Sequence, residues 1–376
     1  MTKTKVFFYV QHLLGIGHAM RAALLCRAMS NAGLEVMLVN GGEPSTLDDP
    51  GLVDHIQLPP ARAADPSFSG IVDAAGAPID EAWKEKRRAV LLDCYENTQS
   101  DLLLVETFPF GRWPFRFEIL PLLDLASGRG PILCSIRDIL VPKSESKRNR
   151  EILSIIQTKF DGVLVHGDET LVGLDQTYRH AKALEGRLHY TGYVAPGPDA
   201  PNQETDGEII VSAGGGGTGE ILINAAMKLA RSSDGQNWRW RFLVGPNLPP
   251  DHGADLSAAP NITVESVRPD FRALLATAAL SVSQAGYNTV MDVLVSKARN
   301  VLVPFGRFGQ TEQPMRAKLL AEKGMSIAVE EETLTPQILF AAINRGLAMR
   351  RPNPAHIDLS GADTTARLVK QFMKPS

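Results

Sequence analysis

KVFFYVQHLLGIGHAMRAALL, residues 5–25, runs from a β-rich apolar segment through two glycines and a histidine into helical periodicity that begins at Ala19. A short apolar run leading through glycine into a helix is the opening unit of a parallel α/β sheet. Gly15, Gly17 and His18 read in two ways. They form either a tight turn with a polar residue at the helix start, or a ligand or catalytic site at the carboxyl end of the first strand. Open α/β sheets bind their ligands at such ends.

Outward from this stretch the alternation continues. Strand patterns fall at 35–40, 101–106, 131–136, 162–167 and 188–192, and helical periodicity at 18–32, 81–99 and 146–158. Gly33 stands where a left-handed helix cap is expected. The proline- and glycine-rich run VAPGPDAPNQETDG (194–207) then breaks the rhythm and reads as a linker. A second series follows, with strands at 208–213, 241–245, 261–266, 280–284, 299–305 and 326–330, and helices at 219–231, 269–278, 288–296, 313–323 and 335–348. A length of 376 residues suits two cores better than one. We expect domains at 1–194 and 207–360, a linker at 195–206 and a closing segment at 361–376.

Composition narrows the function. A net charge of -3 argues against non-specific nucleic-acid binding. Cys26, Cys94 and Cys134 lie in apolar segments at spacings that suit neither metal nor disulfides, so they read as reduced core thiols. The amino-terminal apolar run is too short for a signal peptide, and no segment approaches the ~18 apolar residues of a membrane span. A cytoplasmic protein is expected, at most peripheral to the inner face of the membrane.

The second glycine loop is VSAGGGGTGEILINAA (211–226), in which Gly214, Gly215, Gly216, Gly217 and Gly219 surround Thr218. Glycine there lets backbone approach a ligand, and a helix start offers N–H groups with a favourable dipole, which suits a phosphate or diphosphate. Glu220 stands where a P-loop needs lysine. No carboxylate ends the strand that follows either glycine loop, which removes the ribose ligand of a dinucleotide fold. Further on, Gly286 follows a strand and Asp292 lies on the next helix, where one carboxylate can chelate a ribose diol. Glu312 and Gln313 follow another strand end, a carboxylate and an amide suited to sugar hydroxyls. Asp48-Asp49 lies in a proline-bounded loop, so no metal motif is expected.

These motifs in this order resemble the GT-B glycosyltransferases, above all the MurG type of peptidoglycan N-acetylglucosaminyltransferase and related predicted glycosyltransferases. The carriers are Gly15-Ile16-Gly17-His18, the Gly214–Gly219 loop, YTGYV (190–194) before the linker, the Thr289-Val290-Met291-Asp292 run and the Glu312-Gln313 pair. The resemblance implies two Rossmann-like domains facing each other across a cleft, the last helix crossing back onto the first domain. It implies an acceptor-binding first domain, and a second domain that takes a UDP-linked sugar. It places the ribose on Asp292, the nucleotide base at Val267, and the donor contacts at Gly286, Asn288, Thr289, Glu312 and Gln313. His18 becomes the base for an inverting, metal-independent transfer to a sugar, glycolipid or small-molecule hydroxyl, with Glu106 as the other cleft candidate. No cofactor is implied beyond the nucleotide sugar. The sequence departs from the MurG pattern: it has fewer glycines before His18 and a longer second loop lacking serine. A nucleotide-sugar hydrolase of the same fold, or a non-catalytic nucleotide-sugar binder, stays open. The run VETFPFGRWPFRFEILPLL (105–122), with four phenylalanines, one tryptophan and two arginines within 108–117, reads as an acceptor or membrane contact, or as a loop and helix packed on the sheet.

Overall fold

The computed structural model describes residues 4–13, 17–44, 53–65, 69–142, 146–200, 207–214, 218–245 and 259–374. The chain divides into two compact units. One comprises 1–194 together with 358–376, the other 195–357.

In the first unit the strands are β1 (Lys5–Val10), β2 (Glu35–Asn40), β3 (Asp54–Gln57), β4 (Ala61–Ala63), β5 (Ile71–Asp73), β6 (Leu102–Glu106), β7 (Ile132–Arg137), β8 (Gly162–His166) and β9 (Leu188–Tyr190). Its helices are α1 (Gly17–Asn31), α2 (Glu81–Thr98), α3 (Arg116–Ala126) and α4 (Ser146–Lys159). Among the described residues seven strands form one parallel sheet in the order β3-β2-β1-β6-β7-β8-β9, and β4 pairs antiparallel with β5. Strands such as LLLVE and GVLVH are buried throughout because helices cover both faces of the sheet. One face packs Phe7, Tyr9, Leu103, Val105 and Cys134 with Leu91, Ile119 and Ile156 from the covering helices. The other packs Phe8, Leu104 and Leu164 under α1 and under the chain's final helix, α10 (Gly361–Phe372), whose apolar stripe includes Ala366 and Val369. Helix α1 closes at Gly33, φ 86°, with Leu34 N–H bonding back to the Met29 carbonyl.

The second unit contains β10 (Glu208–Ser212), β11 (Arg239–Val244), β12 (Ile262–Ser266), β13 (Leu280–Ser283), β14 (Asn300–Leu302) and β15 (Ile327–Ala328). Its helices are α5 (Glu220–Ala230), α6 (Phe271–Thr277), α7 (Tyr287–Val295), α8 (Glu312–Glu322) and α9 (Pro336–Ala348). Its sheet runs β12-β11-β10-β13-β14-β15, all parallel. This is the doubly wound Rossmann order, and the first sheet follows the same order with one strand added. In each sheet the winding reverses once: between β1 and β6 in the first, between β10 and β13 in the second. A crevice opens outside the strand ends at such a point. Among the described residues no helix is long and apolar enough to cross a membrane.

Candidate functional site

The reversal point of the first sheet is charged. His18 is in the first turn of α1, one turn ahead of Arg21, so both side chains share one helix face. Glu106 ends β6, and the chain turns away at once through Thr107, φ 69°. A β-branched residue with positive φ is a strained turn, and here it ends the strand with the carboxylate at its edge. His18 Nδ1 lies 3.0 Å from Glu106 Oε1, and Arg21 Nη2 donates to the same oxygen. His18 Nδ1 also lies 3.2 Å from Arg21 Nη2, so it faces an acceptor and a donor at once; the tautomer with its proton on Nδ1, toward the carboxylate, is the one in which Nε2 presents a lone pair. Among the described residues nothing bonds to Nε2.

The electrostatics follow from burial. Glu106 and Arg21 are each 1% exposed and His18 13%. Burial, helped by the Arg112 and Arg21 cations, lowers the His18 imidazole to about 3 against the pull of Glu106, so the ring is neutral at physiological pH. Burial alone would raise Glu106, but His18, Arg21 and Arg112 more than offset it and hold the carboxyl below its usual range. Glu106 Oε2 is buried without a hydrogen-bond partner among the described residues. Arg112, φ 58°, is anchored by its Nε to the Gln11 carbonyl.

Behind this cluster runs a second polar chain. Thr191 Oγ1 donates to the Gly192 carbonyl, 2.8 Å, and so accepts from His166 Nδ1 at 3.0 Å. His166 Nε2 therefore accepts from Ser135 Oγ at 2.8 Å. Ser135 is the register partner of Glu106. Burial and Arg21 lower His166 to about 3 as well. On the opposite face, Arg87 forms a fully buried bidentate pair with Glu118, which also accepts from Tyr9 Oη at 2.5 Å. The Arg87 guanidinium reaches the Gly41 and Pro59 carbonyls and Gln11 as well, which braces the strand ends.

The second reversal point is built of backbone. Gly214 follows β10 with φ 68°, and a Cβ placed on it would meet Thr289 Oγ1 at 3.9 Å, so Gly214 lies near the first turn of α7. Thr218 and Gln284 exchange hydrogen bonds: Thr218 Oγ1 to Gln284 Oε1, 3.2 Å, and Gln284 Nε2 to the Thr218 carbonyl, 2.8 Å. Gly219 precedes α5 and Gly286 precedes α7, and neither helix start has a side-chain cap. Two uncapped helix starts near Gly214 have the polarity that suits an anion. At Gly219 a Cβ would collide with the Ala213 methyl, so glycine lets α5 begin this close to the strand end. Asn288 and Thr289 lie in the first turn of α7, with Asp292 one turn on.

Asp292 is already engaged. Its Oδ1 lies 3.6 Å from Arg272 Nη1, whose Nη2 donates to Asp199, 2.9 Å. Burial raises the Asp292 carboxyl to about 6 against the pull of Arg272.

The Glu312-Gln313 pair is engaged within the fold. Gln313 Oε1 accepts from the backbone N–H groups of Ala285 and Phe305, each at 3.0 Å, and Glu312 is buried against Arg316, 2.9 Å. The Gln313 oxygen thus serves the scaffold, and Glu312 Oε1 serves Arg316. The Val267 N–H donates to the Val244 carbonyl, 3.3 Å, which leaves its own carbonyl for recognition. Gly15, Gly215, Gly216 and Gly217 lie outside the described residues.

The run 105–122 is mostly core. Phe108 and Phe115 are fully buried and Phe110 nearly so, while Trp113 lies under the Arg148 guanidinium at 3.7 Å. Sequence reading missed Arg112 and Arg272 as site partners; Arg21, three residues after His18, is legible from its spacing as part of the pattern shared with a nucleotide-sugar hydrolase.

Residues 210–371 match the glycosyltransferase family 28 C-terminal domain. The chain has the GT-B glycosyltransferase fold and resembles the MurG type. A UDP-N-acetylglucosamine–N-acetylmuramyl-(pentapeptide) pyrophosphoryl-undecaprenol N-acetylglucosamine transferase from Lachnospira eligens is 28% identical over 161 residues, 42% of this chain and 44% of that protein. The same enzyme from Staphylococcus aureus strain Newman is 30% identical over 131 residues, 35% of this chain and 36% of that protein. The chain thus spans less than half the length of these relatives. Among solved structures, the kitacinnamycin glycosyltransferase superposes with a TM-score of 0.66 at 15% identity, covering 100% of both chains. MurG of Acinetobacter baumannii gives 0.58 at 16%, covering 99% of this chain and 100% of that one.

Proposed function

We propose that the protein is an inverting, metal-independent glycosyltransferase that moves a hexosyl or hexosaminyl group from a UDP-sugar to an acceptor hydroxyl. The second unit takes the donor. The diphosphate is held by the Gly214–Gly219 loop and the starts of α5 and α7, and the ribose by Asp292. The first unit takes the acceptor, a sugar, glycolipid or small molecule. The names of the relatives favour a lipid-linked one, which would bring the enzyme to the inner membrane face as a peripheral protein.

One observation carries the reading: His18 Nδ1 lies 3.0 Å from Glu106 Oε1, an arrangement that, with the proton on Nδ1, leaves a neutral Nε2 to act as the base. In the reaction His18 Nε2 takes the acceptor hydroxyl proton and the oxygen attacks the anomeric carbon. The bond from that carbon to the diphosphate breaks, and UDP leaves with both electrons. Glu106 stabilises the imidazolium as it forms, and the loop amides with the helix dipoles stabilise the departing diphosphate, which supports transfer without a metal.

The test is a panel of nucleotide sugars screened for thermal stabilisation, followed by product analysis with and without acceptor. A UDP-sugar should raise the melting temperature, and the product should carry the inverted anomeric configuration. Release of free sugar at the same rate without acceptor would replace transfer by hydrolysis, and a retained configuration would remove the single-displacement mechanism.

A further inference from the structure

Phe308 is 67% exposed, more than any other large apolar side chain among the described residues. It occupies the loop between β14 and α8, in a turn closed by the Gln310 N–H on the Arg307 carbonyl, 3.1 Å. Both central residues have positive φ, Phe308 at 56° and Gly309 at 72°. Glycine takes that conformation freely, but a bulky side chain does not, and such strain gathers at ligand clamps.

The foot of the loop is fixed. Gln313 Oε1 ties Phe305 N–H to Ala285 N–H, and Arg307 Nε donates to Glu331, 3.1 Å, itself buried. The Phe305 ring lies 6.2 Å from that of Phe308 and 5.3 Å from the Arg307 guanidinium. An apolar ring is thus held out into solvent by a turn that costs stability and a base that does not yield.

What it meets follows from the neighbouring helices. Helix α7 carries Asp292, which Arg272 ties toward α6. On its other flank α8 reaches α7 through Arg316, which donates to the Ala285 carbonyl, 3.0 Å, and lies 5.5 Å from the Tyr287 ring. With the diphosphate at the start of α7 and the ribose on Asp292, as proposed above, the nucleoside would extend toward α6 and the transferred sugar toward α8 and the loop that bears Phe308. The geometry points to Phe308 as a specificity-determining residue that stacks on the apolar C–H face of the donor's pyranose ring. This rests on the donor site proposed above.

The experiment is calorimetry with two probes, UDP and UDP-N-acetylglucosamine, on the full chain and on Phe308→Ala, Phe308→Trp and Phe308→Gly. A stacked aromatic contact predicts about a two- to tenfold loss of UDP-N-acetylglucosamine affinity in Phe308→Ala, unchanged UDP affinity, and recovery in Phe308→Trp. Phe308→Gly should show the same loss with a raised melting temperature, because glycine removes the strained φ. Equal losses for both probes would place the nucleobase on Phe308 and overturn the inference, and so would no loss for either. If the unsubstituted protein binds UDP-N-acetylglucosamine no more tightly than UDP, no sugar contact exists and the inference falls while the donor site stands. If it binds neither, the donor site falls as well.

Discussion

The two reversal points occupy the same place in the same strand order and are built from opposite materials. In the first unit, side chains from α1 and β6 crowd a carboxylate, a guanidinium and an imidazole into a nearly water-free layer. In the second, side chains are withdrawn: Gln284 and Gln313 spend themselves on backbone, and glycines stand where the chain comes closest. Proton transfer needs one atom with one lone pair aimed, which only an oriented side chain supplies. The diphosphate proposed for the second site needs several N–H groups at once, which main chain at a helix start supplies without a side chain. A shared topology therefore leaves the chemistry open until the residues after each strand are read.

The comparison breaks first at Glu106. Glu106→Gln removes the partner of buried Arg21, and a broken buried pair costs about 3–5 kcal/mol, to be read as a fall in unfolding free energy. His18→Ala leaves the Arg21–Glu106 pair intact, so melting temperature and UDP affinity should hold while turnover falls about 10²–10⁴-fold. Turnover that survives in His18→Ala would make the first site structural and the contrast empty.

A smaller effect is expected at Asp292, the carboxylate proposed to hold the ribose. Asp292→Ala should weaken UDP by about 1.5–3 kcal/mol in calorimetry. Burial lifts this carboxyl from 3.8 to about 6, so the folded protein holds its proton more tightly than the unfolded chain does. Its contribution to stability is complete below pH ~4 and is lost as pH rises through 6. Asp292→Asn should therefore be more stable than the parent by about 1–3 kcal/mol at pH 8, with the difference gone at pH 4. Donor affinity in the parent should drop below pH ~6, where the carboxylate protonates, whereas neutral His18 adds no step there.

The mildest test addresses the backbone site. Gly219→Ala forces a methyl against Ala213 and should cost about 1–3 kcal/mol in denaturant unfolding, with UDP affinity falling as α5 is pushed from the strand end. Unchanged stability would mean that the loop yields and that closeness there is not required.

Most of the framework could be read from local pattern, because apolar runs and glycine punctuation are local. β1 and β2 begin and end where their apolar runs do, and Gly33 caps α1 as its position requires. β3 escaped, since Asp54-His55-Ile56-Gln57 has no apolar run and owes its strand to pairing with β2. His18 and the glycine loop could be read for the same local reason. The partners could not: Arg21 meets Glu106 across 85 positions, and Arg87 meets Glu118 across 31. Gln313 shows the converse. Its residue type suits a sugar, yet its carbonyl oxygen is taken by two strand ends that only the folded sheet brings within reach.

That amide also closes the foot of the segment from Phe305 to Gln313. Because the ends are clasped by one side chain, loop closure should penalise added length between them only slightly. If the donor site proposed above holds, a library confined to 308–310, which spares Arg307 and its buried partner Glu331, should redraw sugar preference while the sheet is left as it is.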